Sequence, residues 1–229
     1  MGVLIEARGV ATPSTRAGRT VGTPAVIDLR VRTGAVTVLL GGADSGAFRL
    51  LRVLGLLTPP DGGRVLLDGR DTSRLPRWEL ADIRRDRFGY VLPECGLLPR
   101  HSAGRNVLLP YDGRYGPADE RAALVLERVG VPPCRASYRP DELSESERCR
   151  VVLARALVNG PSAVLVEEPT AGLPEAEGRR LLTLLGELAD EGRAVVITAR
   201  GHDVLAAAHE VHRLTAAGLR SITRRRVAG

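Results

Sequence analysis

The sequence predicts an α/β domain built on a mainly parallel sheet flanked by helices, and three observations predict it. Short apolar runs alternate with stretches of helical periodicity along the chain. One such run, 36–40, enters a glycine-rich bend at 41–46 that opens directly into an amphipathic stretch. The chain has 229 residues, enough for one sizeable core with an inserted lobe.

Taken in order, strand-like runs fall at 25–31, 36–40, 65–67, 88–92, 163–166, 194–198 and 210–214. Helices are expected over 46–57, 117–129, 144–159 and 175–191. In the first of these, Leu50, Leu51, Leu54 and Leu57 share one face and are candidate core residues. The run TPPDGG at 58–63 is a turn signal. Residues 96–140 are richer in glycine and proline, so a helical lobe at roughly 96–160 is expected within a single domain covering 1–229. There are no internal repeats.

Composition narrows the function. Hydrophobic residues make up 44% of the chain, as in globular proteins. No apolar run approaches the ~20 residues that cross a bilayer, and the opening MGVLIEARGV lacks the basic-then-apolar order of a secretory signal. A cytoplasmic location is expected. Cys95, Cys134 and Cys149 are odd in number and widely spaced, which predicts reduced, structural thiols. Net charge is +6, but the arginines are scattered and the only dense cluster is Arg224, Arg225 and Arg226. With two Phe, four Tyr and one Trp there is no platform for stacking bases, so no nucleic-acid partner is expected. The chain contains no lysine.

The bend follows the logic of G-x-x-x-x-G-K-[ST], in which backbone amides at a helix N-terminus hold phosphates, a lysine neutralises them and a hydroxyl holds magnesium. Gly41 and Gly46 keep the spacing, with Gly42, Asp44 and Ser45 between them, but Ala47 stands in the lysine position and Phe48 in the hydroxyl position. Exchange of Lys for Arg across a genome would leave arginine at 47, so compositional drift does not explain Ala47. Taken alone, the three glycines equally suit a tight strand-to-helix turn.

Further motifs are DGGRVLLDGRD, RFGYVLPECGLLP, ELSESERCRVVLARALVNGPSAVLVEEPTAGL and EGRAVVITARGHD. In order and spacing, from about residue 3 to residue 222, they resemble the nucleotide-binding subunit of an ABC transporter, nearest to the lipoprotein-release, macrolide-export and cell-division type. The resemblance implies a P-loop NTPase-like ABC nucleotide-binding domain with ATP and magnesium as cofactors. It implies a membrane permease as partner, held at the inner face of the membrane, and a homodimer or a heterodimer with another ABC ATPase subunit. CGLLPRHSAGRNVLLP is similar to the region that receives a permease helix.

The resemblance also assigns roles to positions, and most of those positions have changed. Pro93 stands where the family has a glutamine that reaches magnesium. The signature LSGGQ is matched by LSESE, so Ser144, Glu145, Ser146 and Glu147 replace its glycine-rich turn. Glu167 takes the place of the metal-facing aspartate, while Glu168 retains the general-base glutamate. Pro174 replaces an aspartate that couples protomers, and Arg200 the switch histidine, with His202 two residues on. Asp44 adds a carboxylate beside the helix start, where it can cap the helix and repel a triphosphate. Ser144 and Glu147 are spaced as a capping box that satisfies the signature helix internally.

These changes predict a transporter ATP-binding-type subunit with weak or no ATP hydrolysis. Each composite site of the family joins the loop of one protomer to the signature of the other, so a homodimer would carry two altered sites. Two alternatives remain open. One is an active transport ATPase in which Arg49 or Arg52 neutralises phosphate and Glu167 holds magnesium; the other is a soluble regulatory or structural module.

Overall fold

Residues 35–40, AVTVLL, are buried along their whole length, and so are residues 194–199, AVVITA. Strands buried on both faces belong in the middle of a sheet covered on two sides. The computed structural model describes residues 2–12, 15–16, 19–20, 25–42, 45–93, 95–215 and 217–222. Asp44 and the cluster of Arg224, Arg225 and Arg226 lie outside the described residues.

In chain order the elements are β1 (Val3–Thr12), β2 (Thr15–Arg16), β3 (Arg19–Thr20), β4 (Ala25–Arg32), β5 (Ala35–Leu40) and α1 (Ala47–Leu54). Then come β6 (Arg64–Leu67), β7 (Arg70–Asp71), α2 (Arg77–Arg87), β8 (Phe88–Val91), α3 (Ala103–Val107) and α4 (Ala118–Arg128). The chain closes with α5 (Glu145–Leu157), β9 (Ala163–Glu167), α6 (Glu175–Asp190), β10 (Ala194–Ala199), β11 (Glu210–Thr215) and β12 (Gly218–Ser221).

The main sheet has the order β12-β11-β5-β10-β9-β8, parallel from β11 to β8 with β12 antiparallel at one edge. Its alternating side chains separate two cores. Val36, Val38, Val164, Val166 and Ile197 face α3, α4, α5 and α6, while Leu39, Leu165 and Val196 face α1 and a second sheet. The expected strands at 36–40 and 163–166 thus share one sheet, as the parallel reading requires.

The second sheet corrects part of that reading. The runs 25–31 and 65–67 join β1 and β7 in an antiparallel sheet of order β4-β1-β6-β7. The sign is visible in β4, where Ala25, Ile27, Leu29 and Val31 are buried and Val26, Asp28 and Arg30 are exposed, the period-2 pattern of a one-sided sheet. The helix expected over 46–57 also ends early. Gly55 sits where an added Cβ would lie 2.5 Å from Leu165 Cδ1, and Leu56 adopts φ 58. Leu57 is therefore turned away from the core and is 41% exposed.

Two features fix the start of α5 and its contact with the sheet. Ser144 caps it, accepting from the Glu147 amide at 3.2 Å while Glu147 Oε2 accepts from the Ser144 amide at 2.9 Å. This is the predicted capping box. Further along, β8 approaches so closely that an added Cβ at Gly89 would stand 2.4 Å from the Ala156 carbonyl oxygen. Gly89→Ala must push the strand off α5, so a loss of about 2 kcal/mol or more is expected, read as a fall in Tm of about 4 °C or more. An unchanged melting curve would show that the strand and helix can separate without cost.

Candidate functional site

In open parallel sheets, ligands bind outside the carboxyl ends of the strands. Here β5 delivers the glycine bend to that edge, β9 delivers Glu167 and Glu168, and β10 delivers Arg200. The strand ends are tied together, since the Gly41 amide donates to the Ala199 carbonyl at 3.1 Å and the Glu168 amide to the Thr198 carbonyl at 2.9 Å.

The bend is folded onto itself. The Ser45 amide and hydroxyl both donate to the Gly42 carbonyl, at 3.0 and 2.7 Å. A Cβ added at Gly41 would lie 2.1 Å from Ser45 Oγ, so the serine hydroxyl fills the hollow above that glycine. Gly46 opens α1 at φ 82, a left-handed conformation that favours glycine, and the Ala47 amide donates to Ser45 Oγ at 3.3 Å. Ser45 thus accepts from the first amide of α1, while the expectation placed on Asp44 falls outside the described residues. Ala47 is fully buried and brings no charge.

Two arginine–glutamate pairs occupy the rest of the edge. Arg52, one turn along α1 from Phe48, meets Glu167 at 3.2 Å, with only 28% and 11% of the side chains exposed. Arg200 meets Glu168 at 3.2 Å and lies 5.4 Å from the centre of the Phe48 ring. Glu168, Arg200 and Phe48 thus form one contact chain. Glu168 holds φ 49, an uncommon conformation for a residue other than glycine. Arg49 is directed to Asp61, at 2.7 Å, and His202 Nε2 lies 3.2 Å from an Arg213 guanidinium nitrogen. Sequence reasoning named Arg52, Arg200, Glu167 and Glu168 as separate site residues and missed that they pair.

The signature residues are also internally engaged. Glu147 adds an ion pair with Arg135 at 3.3 Å, and the Ser144 amide hydrogen bond holds its carboxyl below the usual glutamate range. Ser146 donates to Glu177 at 2.7 Å, and Arg150 pairs with the same carboxylate at 3.0 Å. Those two hydrogen bonds, Ser146 first, lower the Glu177 pKa. Glu145 and Glu168 line one cavity of about 490 Å³, together with Pro93 and Leu97. A separate groove of about 450 Å³ runs beside β8, between Leu57, Tyr90, Leu109, Pro110 and Arg155.

This donor set does not fit magnesium. Magnesium takes oxygen ligands in near-octahedral array. Phe48 and Pro93 offer no side-chain oxygen, and the Glu167 carboxylate already faces a guanidinium. Among the described residues no group of three or more His, Cys, Asp or Glu could hold a metal ion, and no helix is long and apolar enough to cross a membrane.

Comparison with known proteins places this edge in a family. The family model described as ABC transporter matches residues 25–171. The macrolide export ATP-binding/permease protein MacB of Bordetella avium is 37% identical over 209 residues, covering 90% of this chain and 32% of that protein. The pyoverdine export ATP-binding/permease protein PvdT of Pseudomonas syringae pv. syringae is 38% identical over 188 residues, covering 81% of this chain and 28% of that protein. The chain spans about a third of the length of these relatives. The dimeric structure of MJ0796, a bacterial ABC transporter cassette, superimposes with TM-score 0.85 at 28% identity, covering 96% of this chain and 99% of that one. The same cassette in a post-hydrolysis state bound to ADP and Pi gives TM-score 0.84 at 27% identity, with coverage of 96% and 99%. With the motif order, the sheet and the helices all in agreement, the chain belongs to the ABC transporter family and has the fold of its ATP-binding cassette.

Proposed function

We propose that this chain is the ATP-binding-type subunit of a membrane export complex, that it docks a permease, and that it hydrolyses ATP weakly or not at all. The observation that carries the last part is the pair of contacts Arg52–Glu167 and Arg200–Glu168, closed over Phe48. A magnesium–nucleotide complex entering this edge has to break both pairs and displace an aromatic ring. Separating the more buried pair leaves an ion without its partner in a low-dielectric setting, which is unfavourable. Export and permease association are supported by relatives whose names join an ATP-binding part to a permease. A second cassette, the same chain or another, is supported by the dimeric MJ0796. An active ATPase using Arg49 or Arg52 as counter-charge is disfavoured, because those guanidiniums already face Asp61 and Glu167.

Magnesium–ATP is expected to bind at least tenfold more weakly than to MJ0796, a gap of ~1.4 kcal/mol or more. Calorimetry giving micromolar affinity would sink the closed-site reading.

Restoring the loop by Ala47→Lys with Phe48→Ser returns a counter-charge and a magnesium ligand, yet turnover is expected to stay near background. Pro93, Glu145, Glu147 and Arg200 remain changed, and catalytic groups that act as a unit return little rate when restored singly. Phosphate release at ~1 per second or faster would show that other residues carry the chemistry.

For docking, the groove beside β8 is the candidate surface, with Leu57 at 41% and Leu109 at 47% exposure at its rim. Leu98 is 43% exposed in the lobe, whereas Leu97 is turned inward to the cavity beneath. Leu57→Asp with Leu109→Asp is expected to abolish co-purification with host membrane proteins, while Ala47→Lys leaves it intact. Equal recovery of the two variants would remove the groove from the interface.

A further inference from the structure

The one tryptophan of the chain is not in either core. Trp78 is 68% exposed, the most exposed of the large apolar side chains among the described residues. It lies in the first turn of α2, a helix with no fully buried residue. An exposed indole can enter an interface that covers its apolar ring and leaves its N–H a polar partner.

Its surroundings identify the chemistry of the cover. Arg74, Pro76 and Arg77 are exposed beside Trp78 in the run RLPRW. Every carboxylate of the neighbouring stretch already has a partner. Asp71 accepts from the Ser73 amide and hydroxyl at 2.9 and 2.7 Å, Glu79 pairs with Arg70 at 2.6 Å, and Asp82 pairs with Arg85 at 3.1 Å. No ion pair or hydrogen bond engages the side chain of Arg74 or Arg77 among the described residues. The surface is an exposed indole flanked by two guanidiniums that make no ion pair, Arg74 lying only near enough to Asp71 to help lower its pKa.

We propose that Arg74, Arg77 and Trp78 form a contact with the surface of an anionic lipid bilayer. Indole rings settle at the headgroup level, where the apolar ring and the polar N–H are both accommodated. Arginines beside an anionic leaflet add attraction that falls off within a Debye length. A nucleic acid would also attract the guanidiniums, but one ring beside two charges makes no stacking groove, so the bilayer is the better match. The location agrees with the cassette's proposed setting. Arg84 and Arg85, on the same helix, line the groove beside β8, and six residues of helix separate Trp78 from Arg84 by about 9 Å. A permease in that groove would bring α2 toward the headgroups. That orientation rests on the permease reading, whereas the affinity of the patch for lipid does not.

Because Trp78 is the single tryptophan, its fluorescence reports this contact without labelling. The full chain is titrated at low salt with vesicles of phosphatidylcholine alone or mixed with phosphatidylglycerol. A blue shift is expected with the anionic vesicles only, reversed by added salt. Arg74→Glu with Arg77→Glu is expected to weaken partitioning at least roughly tenfold, and Arg74→Gln with Arg77→Gln to weaken it less. Circular dichroism of each variant checks that the fold is retained. No shift at low salt, an equal shift with neutral vesicles, or a shift with duplex DNA or RNA but not with vesicles overturns the proposal. The vesicles contain no protein, so a failure to bind a permease leaves this result standing.

Discussion

The constraint on which the rest of the molecule depends is that β5 and β10 are buried on both faces. Two cores share these strands, one reaching α3 to α6 and the other reaching α1 and the antiparallel sheet. With both faces occupied by packing, these two strands carry no charged side chain, Thr37 and Thr198 being their buried polar residues, and charged side chains gather where the strands end. The glycine bend, Glu167, Glu168 and Arg200 all emerge at that carboxyl edge, so even a set of residues unrelated to catalysis is forced into close quarters there. Proximity at this edge is a property of the fold, and what the residues then do depends on their charges.

Those charges compensate each other. The resemblance implies a cassette that presents donors and cations to an anionic ligand; here Ser45 turns its own amide and hydroxyl to the Gly42 carbonyl and takes the Ala47 amide, and Arg52 and Arg200 face glutamates. Arg52–Glu167 is the stronger restraint because it is the less exposed pair. Arg200–Glu168 is more open, with 63% of the arginine side chain exposed, so water and salt screen it. The capping box at Ser144 follows the same pattern on α5, satisfying amides that would otherwise seek an external acceptor.

Legibility in the sequence follows the range of the interactions. The strand–glycine–helix turn and the Ser144 cap are local, set by residues within a few positions, and both are readable from the sequence. So are β5, β9 and β10, whose continuous apolar runs reflect burial on both faces. The antiparallel sheet is harder, because β1 is interrupted at Gly9, where φ is 60 and the register with β4 shifts. α2 has no buried face for periodicity to mark. The pairs Arg52–Glu167 and Arg200–Glu168 join residues that are distant along the chain, and only the parallel register of β5, β10 and β9 brings them together. Family motifs mark where these residues belong without indicating that they neutralise one another.

Ser45 over Gly41 has a consequence for signalling. A ligand can bias a conformational equilibrium only by binding one state better than another. On the closed-site reading proposed above, a loop whose Ser45 hydroxyl and amide already donate to the Gly42 carbonyl turns those two donors inward, so a nucleotide-linked change of state has to begin by reopening the loop.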